Sequence, residues 1–189
     1  MRAVTPSLRV VGLERSAAES GELELLAGDF ATCATVGPTA VVRAMNVLRG
    51  YREEEVPAIH AALGAGLVEG GLMLEGSTDT EGHVSVVSLL RRRAGVLVRE
   101  ALLFHTDFSR GFSPWLFRDW LPRDLRRRAQ PGTAIHSLLS RWDERTHGST
   151  PQERFANSVS GGLEATRWEL ERGFCRATAP LPRERETVR

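Results

Sequence analysis

The chain has 189 residues, of which 25 are basic and 24 acidic, so its formal net charge is +1. That length fits one domain with a full hydrophobic core. The balance of charge argues against a dedicated nucleic-acid binder, which carries a basic excess on one face. No apolar run approaches the roughly 18 residues that a membrane span needs, and no signal peptide opens the chain. Two cysteines without metal or redox spacing, Cys33 and Cys175, predict a reduced cytoplasmic protein.

The first part of the chain alternates short apolar runs with turns. Residues 8–13 and 22–27 are rich in leucine and valine and predict two buried strands. Residues 40–46 predict a third strand, which begins with small and β-branched side chains and turns polar at Arg43 and Asn46. Polar side chains at that point are typical of a strand that passes into a loop at its carboxyl end.

A helix and a fourth strand follow. In residues 53–67 apolar side chains recur at spacings of three and four, which predicts a helix, and His60 falls on its apolar stripe as a packed core residue. Residues 71–76 predict the next strand. Strand, helix, strand units make parallel sheets whose ligands sit beyond the carboxyl ends of the strands. We therefore expect four polar side chains on one rim: Arg43, Asn46, Glu75 and Asp79.

The rest of the chain predicts a hairpin and then helices. Residues 84–90 and 96–104 are typical of two antiparallel strands joined by a tight turn, and residues 133–145 and 151–172 predict amphipathic helices. The fold class we predict is α/β. It has a mostly parallel sheet, a terminal antiparallel β-hairpin and C-terminal helices.

No linker divides the chain into two domains. We interpret residues 1–107 as a partial α/β sheet region and residues 108–179 as a helical region of the same domain. Residues 180–189 are interpreted as a polar tail.

An acidic residue follows each of the first two strands. Glu14 is placed to accept hydrogen bonds from the two hydroxyls of a ribose. Asp29 is placed to bind an exocyclic amine such as that of adenine, with Phe30 packing against the base. The structural alternative for both carboxylates is a turn or helix-cap role. Two such carboxylates at consecutive strand ends are more specific for a nucleoside than either alone.

These segments resemble the class I S-adenosylmethionine-dependent methyltransferases. The resemblance rests on LRVVGLER, LELLAGDF, VVRAMNVLRGY and GLVEGGLMLEG, and it covers roughly residues 8–105. It implies a Rossmann-like sheet that is incomplete at its amino end. It also implies that the cofactor is S-adenosylmethionine, with its ribose at Glu14 and its adenine near Asp29. The other positions that the resemblance assigns to the cofactor are Phe30, Arg43, Ala44 and Asn46.

Methyl transfer requires no protein nucleophile, because the sulfonium of the donor is already activated. The protein need only align donor and acceptor and, where necessary, remove a proton. We expect a small-molecule methyl acceptor, with no nucleic-acid or membrane partner, and we assign no catalytic residue. The candidates for substrate contact are Glu75, Asp79 and His105, each with a structural role as the alternative.

The chain also departs from the family. The first strand and the glycine-rich loop, which holds the methionine portion of the cofactor, have no counterpart. Three explanations are open. The recorded start lies downstream of the real one, which is the explanation we favour; the chain is a degenerate remnant; or the sheet closes up with a partner's strand. Whether the chain is an active enzyme is therefore left open.

Two other functions remain as alternatives. One is a non-catalytic binding or dimerisation module derived from a methyltransferase fold, for which a homodimer is the expected oligomer. The other is a nicotinamide oxidoreductase, which has little support without a glycine fingerprint.

Overall fold

A computed structural model describes residues 29–178 throughout and, of the residues before them, only the backbone of residues 11–14 and 24–27. Strands β1 (Val11–Glu14) and β2 (Glu24–Ala27) pair in parallel, with Glu14 opposite Ala27 at their carboxyl ends. Both overlap the two strands predicted in this region. The predicted polar tail from residue 180 lies outside the described residues.

The other strands form a mixed sheet. Their bounds are β3 (Thr39–Met45), β4 (Leu67–Thr78), β5 (Val84–Arg93), β6 (Val96–Thr106), β7 (Leu163–Glu164) and β8 (Phe174–Ala177). Within the described residues the spatial order is β3-β4-β5-β6-β8-β7. In this sheet β3 and β4 are parallel, and each of the other neighbouring pairs is antiparallel.

The prediction of a mostly parallel Rossmann-like sheet is therefore wrong. Parallel neighbours need a long crossover connection, whereas antiparallel neighbours are joined by tight turns. Between β4 and β5 the chain turns within residues 79–83, and between β5 and β6 it turns at Ala94 and Gly95, both of which have positive φ. These short connections force antiparallel pairing.

The predicted hairpin is present as β5 and β6, but it is not terminal. Strand β8 adds to the outer edge of β6, with Leu102 opposite Ala177 and His105 opposite Phe174. The hairpin thus lies inside the sheet, because the segment after it supplies two further strands as well as helices.

Helix α1 (Val56–Gly64) is the crossover between β3 and β4 and confirms the predicted strand, helix, strand unit. It is shorter than the predicted helix because Glu53–Glu55 forms a 3₁₀ turn and Leu67 already belongs to β4. Pro57 lies in the first turn, where its missing N–H breaks no helical hydrogen bond.

Four helices and one 3₁₀ helix are described after β6. They are the 3₁₀ helix Pro114–Trp120, α2 (Arg123–Arg126), α3 (Ala134–Asp143), α4 (Pro151–Ser158) and α5 (Arg167–Glu171). Helix α3 confirms the prediction for residues 133–145. The prediction of one helix over residues 151–172 is wrong, because Gly161 and Gly162 both adopt positive φ, which ends helical geometry and lets β7 form.

The core lies against one face of the mixed sheet. In β5 the buried residues alternate, as Val84, Val86, Ser88 and Leu90. At the β3 end this face packs against α1 through residues that include Leu48, Val56, Leu63 and Met73. At the β8 end it packs against an aromatic cluster centred on Trp142, whose indole stacks on Phe117 with 5.4 Å between centroids. The segment after β6 is therefore part of the same core.

Candidate functional site

The carboxyl ends of β3 and β4 are joined by Asn46. Its backbone N–H donates to the Gly76 carbonyl at 2.8 Å, and its side-chain Oδ1 accepts the N–H of Thr78 at 2.9 Å. Asn46 has a φ of 61°, a left-handed conformation that asparagine tolerates better than most residues. Its exposed amide Nδ2 has no hydrogen-bond partner in the part of the chain that the structure describes. Asn46 therefore has a structural role and still presents a donor at this rim.

Asp29 caps the 3₁₀ helix Phe30–Thr35. Its Oδ1 accepts the N–H groups of Ala31 at 2.9 Å and Thr32 at 3.3 Å, which is the cap role weighed for it as the alternative. Phe30 packs against Tyr51 with 5.4 Å between ring centroids. The backbone of Glu14 ends β1, and its side chain lies outside the described part of the structure.

Arg43 and Ala44 face opposite sides of β3. Ala44 is buried in the cluster around α1, whereas Arg43 is exposed. Successive residues of a strand alternate in this way, so these two side chains do not line one surface. Of the two, Ala44 shares the α1 side of the sheet with its neighbour Glu75.

The three predicted substrate residues do not share one face of the sheet. Glu75 is 1% exposed and lies on the α1 side of the sheet, because its β5 partner Ser88 belongs to the buried row. His105 lies on the opposite face, where its ring packs against Phe174 at 4.3 Å. Burial lowers the pKa of His105, although the carboxylates of Asp107 and Asp79 oppose this shift.

Asp79 stabilises the turn between β4 and β5. Its Oδ1 accepts the N–H of Val84 at 3.2 Å, and Nη2 of Arg110 lies 3.1 Å from its Oδ2. This buried carboxylate is thus held by the local turn and one arginine, which is a structural role.

A cleft of about 820 Å³ lies between α1 and the β5–β6 hairpin, and we call it the α1 cleft. Its charged and polar lining residues are Glu53, His60, Arg92, Arg99, Asp124 and Arg128. These residues come from three separate stretches of the chain, within residues 53–60, 92–99 and 124–128, so no single local motif contains them. Two of them carry a signal in the sequence. His60 lies on the apolar stripe of a helix and is interpreted as a core residue, and Arg92 belongs to the Arg91–Arg93 run at the hairpin tip, which is interpreted as a solvated turn with an anion site as the alternative.

Glu75 lies behind His60. Its Oε2 is 3.8 Å from Nε2 of His60, too far for a direct hydrogen bond. Both atoms are buried and have no hydrogen-bond partner among the described residues. Leaving such a group unpartnered costs about 1–3 kcal/mol, so a pair of them beside a cleft requires an explanation.

Arg99 connects the sheet to α2. Its Nε donates to the Ser88 hydroxyl at 3.0 Å and its Nη2 to Oδ2 of Asp124 at 2.6 Å. The other oxygen of Asp124, Oδ1, is buried without a hydrogen-bond partner among the described residues. Arg92 donates through Nη1 to the carbonyls of Gly64 and Ala65 and so caps the carboxyl end of α1.

The described residues hold no helix of the length and apolarity needed to cross a membrane. They also hold no group of three or more histidine, cysteine, aspartate or glutamate side chains arranged to bind a metal ion. Compared with protein-family models, with curated proteins and with solved structures, the chain matches none of them.

Proposed function

We propose that this chain is an S-adenosylmethionine-dependent methyltransferase-like protein that transfers a methyl group to a small molecule. The observation that carries the proposal is the parallel β3–α1–β4 unit, whose last residue pair is Met45 with Gly76 and whose carboxyl ends are bridged by Asn46. Ligands of such units bind beyond the carboxyl ends of the strands. The sequence segments that resemble the methyltransferases include this unit.

The surroundings of Asp29 support the adenine part of the proposal. The 3₁₀ helix that Asp29 caps packs against α1, and Cys33 in that helix contacts Gly66 just before β4. Asp29 thus lies at the start of a 3₁₀ helix that packs against the β3–α1–β4 unit. An exposed carboxylate next to the half-buried ring of Phe30 offers a hydrogen-bond acceptor and an aromatic face, which a nucleobase requires.

The proposed partners follow from charge and cysteine usage. Because the net charge is only +1, we propose no nucleic-acid partner. The proposed methyl acceptor is a small molecule. We place the protein in the cytoplasm, on the basis of Cys33 and Cys175, both of which are free thiols.

Calorimetric titration with S-adenosylmethionine and with its demethylated product tests the proposal. We expect saturable binding that Glu14→Ala and Asp29→Ala each weaken, because each removes a carboxylate assigned to the nucleoside. Asp119→Ala is the matched control, since Asp119 is an exposed carboxylate on the 3₁₀ helix Pro114–Trp120. Folded protein that shows no saturable heat with either compound contradicts the proposal.

One observation favours a second candidate, the dimerisation module. Within the described residues β3 is an edge strand, and Val41 on it is 53% exposed. An unpaired edge with an apolar side chain is a template for pairing with another chain. A stable dimer in analytical ultracentrifugation, together with no cofactor binding, favours this function. Val41→Lys is then expected to dissociate the dimer, because a charge on an edge strand opposes pairing.

A further inference from the structure

We infer that the α1 cleft binds a small zwitterion of the α-amino-acid class. The cleft flanks α1 and extends to the tip of the β5–β6 hairpin, and the inference does not depend on the methyltransferase proposal. It rests on the hydrogen-bonding groups that the cleft leaves unpartnered and on the charges of its walls.

The cleft and the layer behind it contain unpartnered buried acceptors. Oδ1 of Asp124 is buried without a hydrogen-bond partner among the described residues, although Oδ2 of the same carboxylate is bound by Arg99. Oε2 of Glu75, 3.8 Å from Nε2 of His60, is also unpartnered, although Glu75 does not line the cleft itself. A buried carboxylate oxygen is satisfied by a donor, and an ammonium group supplies three N–H donors and a compensating positive charge.

The same cleft contains unpartnered donors. Arg99 uses Nε and Nη2, which leaves Nη1 without a hydrogen-bond partner in the part of the chain that the structure describes. Arg92 uses Nη1 for two backbone carbonyls and has no carboxylate partner among the described residues. A guanidinium with free N–H groups binds carboxylates in a planar, two-point geometry.

A cleft with both donors and acceptors in its walls favours a zwitterion over a ligand with a single charged group. A ligand with only a carboxylate leaves Oδ1 of Asp124 unpartnered and adds a like charge near it. A ligand with only an ammonium group faces three arginines, since Arg92, Arg99 and Arg128 all line the cleft. A molecule with both groups satisfies both sets.

The remaining lining suits an aliphatic side chain. Val56, Leu90 and Leu97 contribute apolar surface to the cleft. Its volume of about 820 Å³ falls in the range usual for small-molecule sites, which runs from about 300 to 1,000 Å³. The ligand class is therefore an α-amino acid with an apolar side chain.

The experiment compares three compounds that differ by one group. The full-length protein is titrated with L-leucine, with 4-methylpentanoate, which lacks the amine, and with 3-methylbutylamine, which lacks the carboxylate. We expect saturable binding of leucine, weakened at least about tenfold in each truncated compound, as expected for losing a charge-assisted hydrogen bond. Absence of leucine binding, or equal binding of either truncated compound, overturns the inference.

Variants place the ligand in the cleft. Asp124→Asn keeps side-chain shape while removing charge, and it is expected to weaken leucine binding by about tenfold or more. Asp119→Asn is the control and leaves binding unchanged. Thermal unfolding confirms that each variant is folded, and His60→Gln, at a second residue of the cleft lining, replaces Asp124→Asn if the latter does not fold. Unchanged affinity in folded Asp124→Asn overturns the inference.

A further control separates this site from the proposed cofactor site, because S-adenosylmethionine itself carries an amino-acid group. Asp29→Ala is expected to weaken cofactor binding and to leave leucine binding unchanged. If Asp29→Ala abolishes leucine binding and Asp124→Asn does not, the amino acid binds at the strand ends and the inference about the α1 cleft is wrong. Failure of cofactor binding alone affects only the proposed function.

Discussion

The indole N–H of Trp142 donates a 2.8 Å hydrogen bond to the hydroxyl of Ser158, and both side chains are completely buried. The Ser158 hydroxyl in turn donates to the Phe155 carbonyl at 2.9 Å. This chain of hydrogen bonds joins α3 to the last turn of α4 inside the aromatic cluster. It gives the largest buried side chain of the core a defined orientation.

Replacing Ser158 by alanine removes the acceptor and leaves the indole N–H buried without a partner. We expect Ser158→Ala to lower the free energy of unfolding by about 1–3 kcal/mol. Urea denaturation measures it, with Ser160→Ala, an exposed serine two residues on, as a control that changes stability by less than about 0.5 kcal/mol. Equal effects of the two substitutions contradict this account of the Trp142–Ser158 hydrogen bond.

Gly173 adopts a φ of +70°, and a Cβ atom there would lie only 1.7 Å from the Thr106 carbonyl oxygen. Gly82 has a similar φ of +83° with no atom within 4 Å of a Cβ, so it is a matched control for backbone strain. We expect Gly82→Ala to lower the free energy of unfolding by about 1–2 kcal/mol, because alanine disfavours positive φ. We expect Gly173→Ala to lower it by roughly 1–3 kcal/mol more, because its Cβ also collides with the Thr106 carbonyl.

Denaturant unfolding of these two alanine variants measures the difference. The entry into β8 must move for a side chain at position 173 to fit, so the loss is expected to include the pairing of His105 with Phe174. Equal stability of the two variants shows that the backbone at residue 173 moves freely.

The carboxylate of Asp107 accepts the N–H of Ser109 at 2.9 Å and lies 2.6 Å from Nδ1 of His83. These contacts lower the pKa of Asp107 from 3.8 to about 2, and the hydrogen bond from the Ser109 backbone has the largest effect. Because the folded-state pKa is lowered, its contribution to stability is present above about pH 4 and is lost as the pH falls towards about 2.

We therefore expect Asp107→Asn to destabilise the protein at about pH 7 and to have a smaller effect at about pH 3. The side chain is 40% exposed, so solvent screening limits the effect to about 1 kcal/mol or less. Denaturation midpoints at both pH values, with Asp119→Asn as control, provide the measurement. If the loss of stability in Asp107→Asn grows as the pH falls, the pKa of Asp107 is not lowered in the folded protein.

Both thiols are expected to react slowly in the folded protein. Burial is the main cause that raises the pKa of Cys33 and of Cys175, and the carboxylates of Asp29 and Glu169 add to it respectively. Only the thiolate reacts readily with disulfide reagents. Cys33 is 8% exposed and Cys175 is 1% exposed, so Cys33 is expected to react first.

Labelling kinetics with a disulfide reagent also test the smaller contribution to the raised pKa of Cys33, which comes from the carboxylate of Asp29. Asp29→Asn removes a negative charge near Cys33 and is expected to increase the labelling rate of that thiol while leaving Cys175 unchanged. Mass spectrometry of the labelled peptides distinguishes the two cysteines. Faster labelling of Cys175 in this variant points to loss of structure and not to an electrostatic effect.

The parts of the fold that depend on local pattern were predictable. Residues 40–76 alternate strand, helix and strand periodicity, and β3, α1 and β4 form in that order with parallel pairing. The β5–β6 hairpin follows from two alternating runs around a turn that contains Gly95. In both cases the neighbours in space are also neighbours in the chain.

The rest of the sheet was not predictable from pattern, because it depends on pairing between distant segments. Strand β8 has four residues and β7 has two. Strand β7 lies within the segment 151–172, whose polar and apolar spacing also suits a helix, and β8 follows directly after it. What selects β8 is the free edge of β6, a tertiary feature. The same applies to the α1 cleft, where Glu75 and His60 meet only after β4 and α1 have packed together.

The chain leaves β6 at Thr106, and the segment that pairs with the outer edge of that strand begins at Phe174. The residues between these points form one long connection, and its two ends are held together by the four residue pairs of β6 with β8. During synthesis these pairs cannot form until residue 177 has left the ribosome, so in a shorter nascent chain β6 lacks its outer neighbour. Chaperone binding is therefore expected at intermediate chain lengths, and release is expected once β8 has been added.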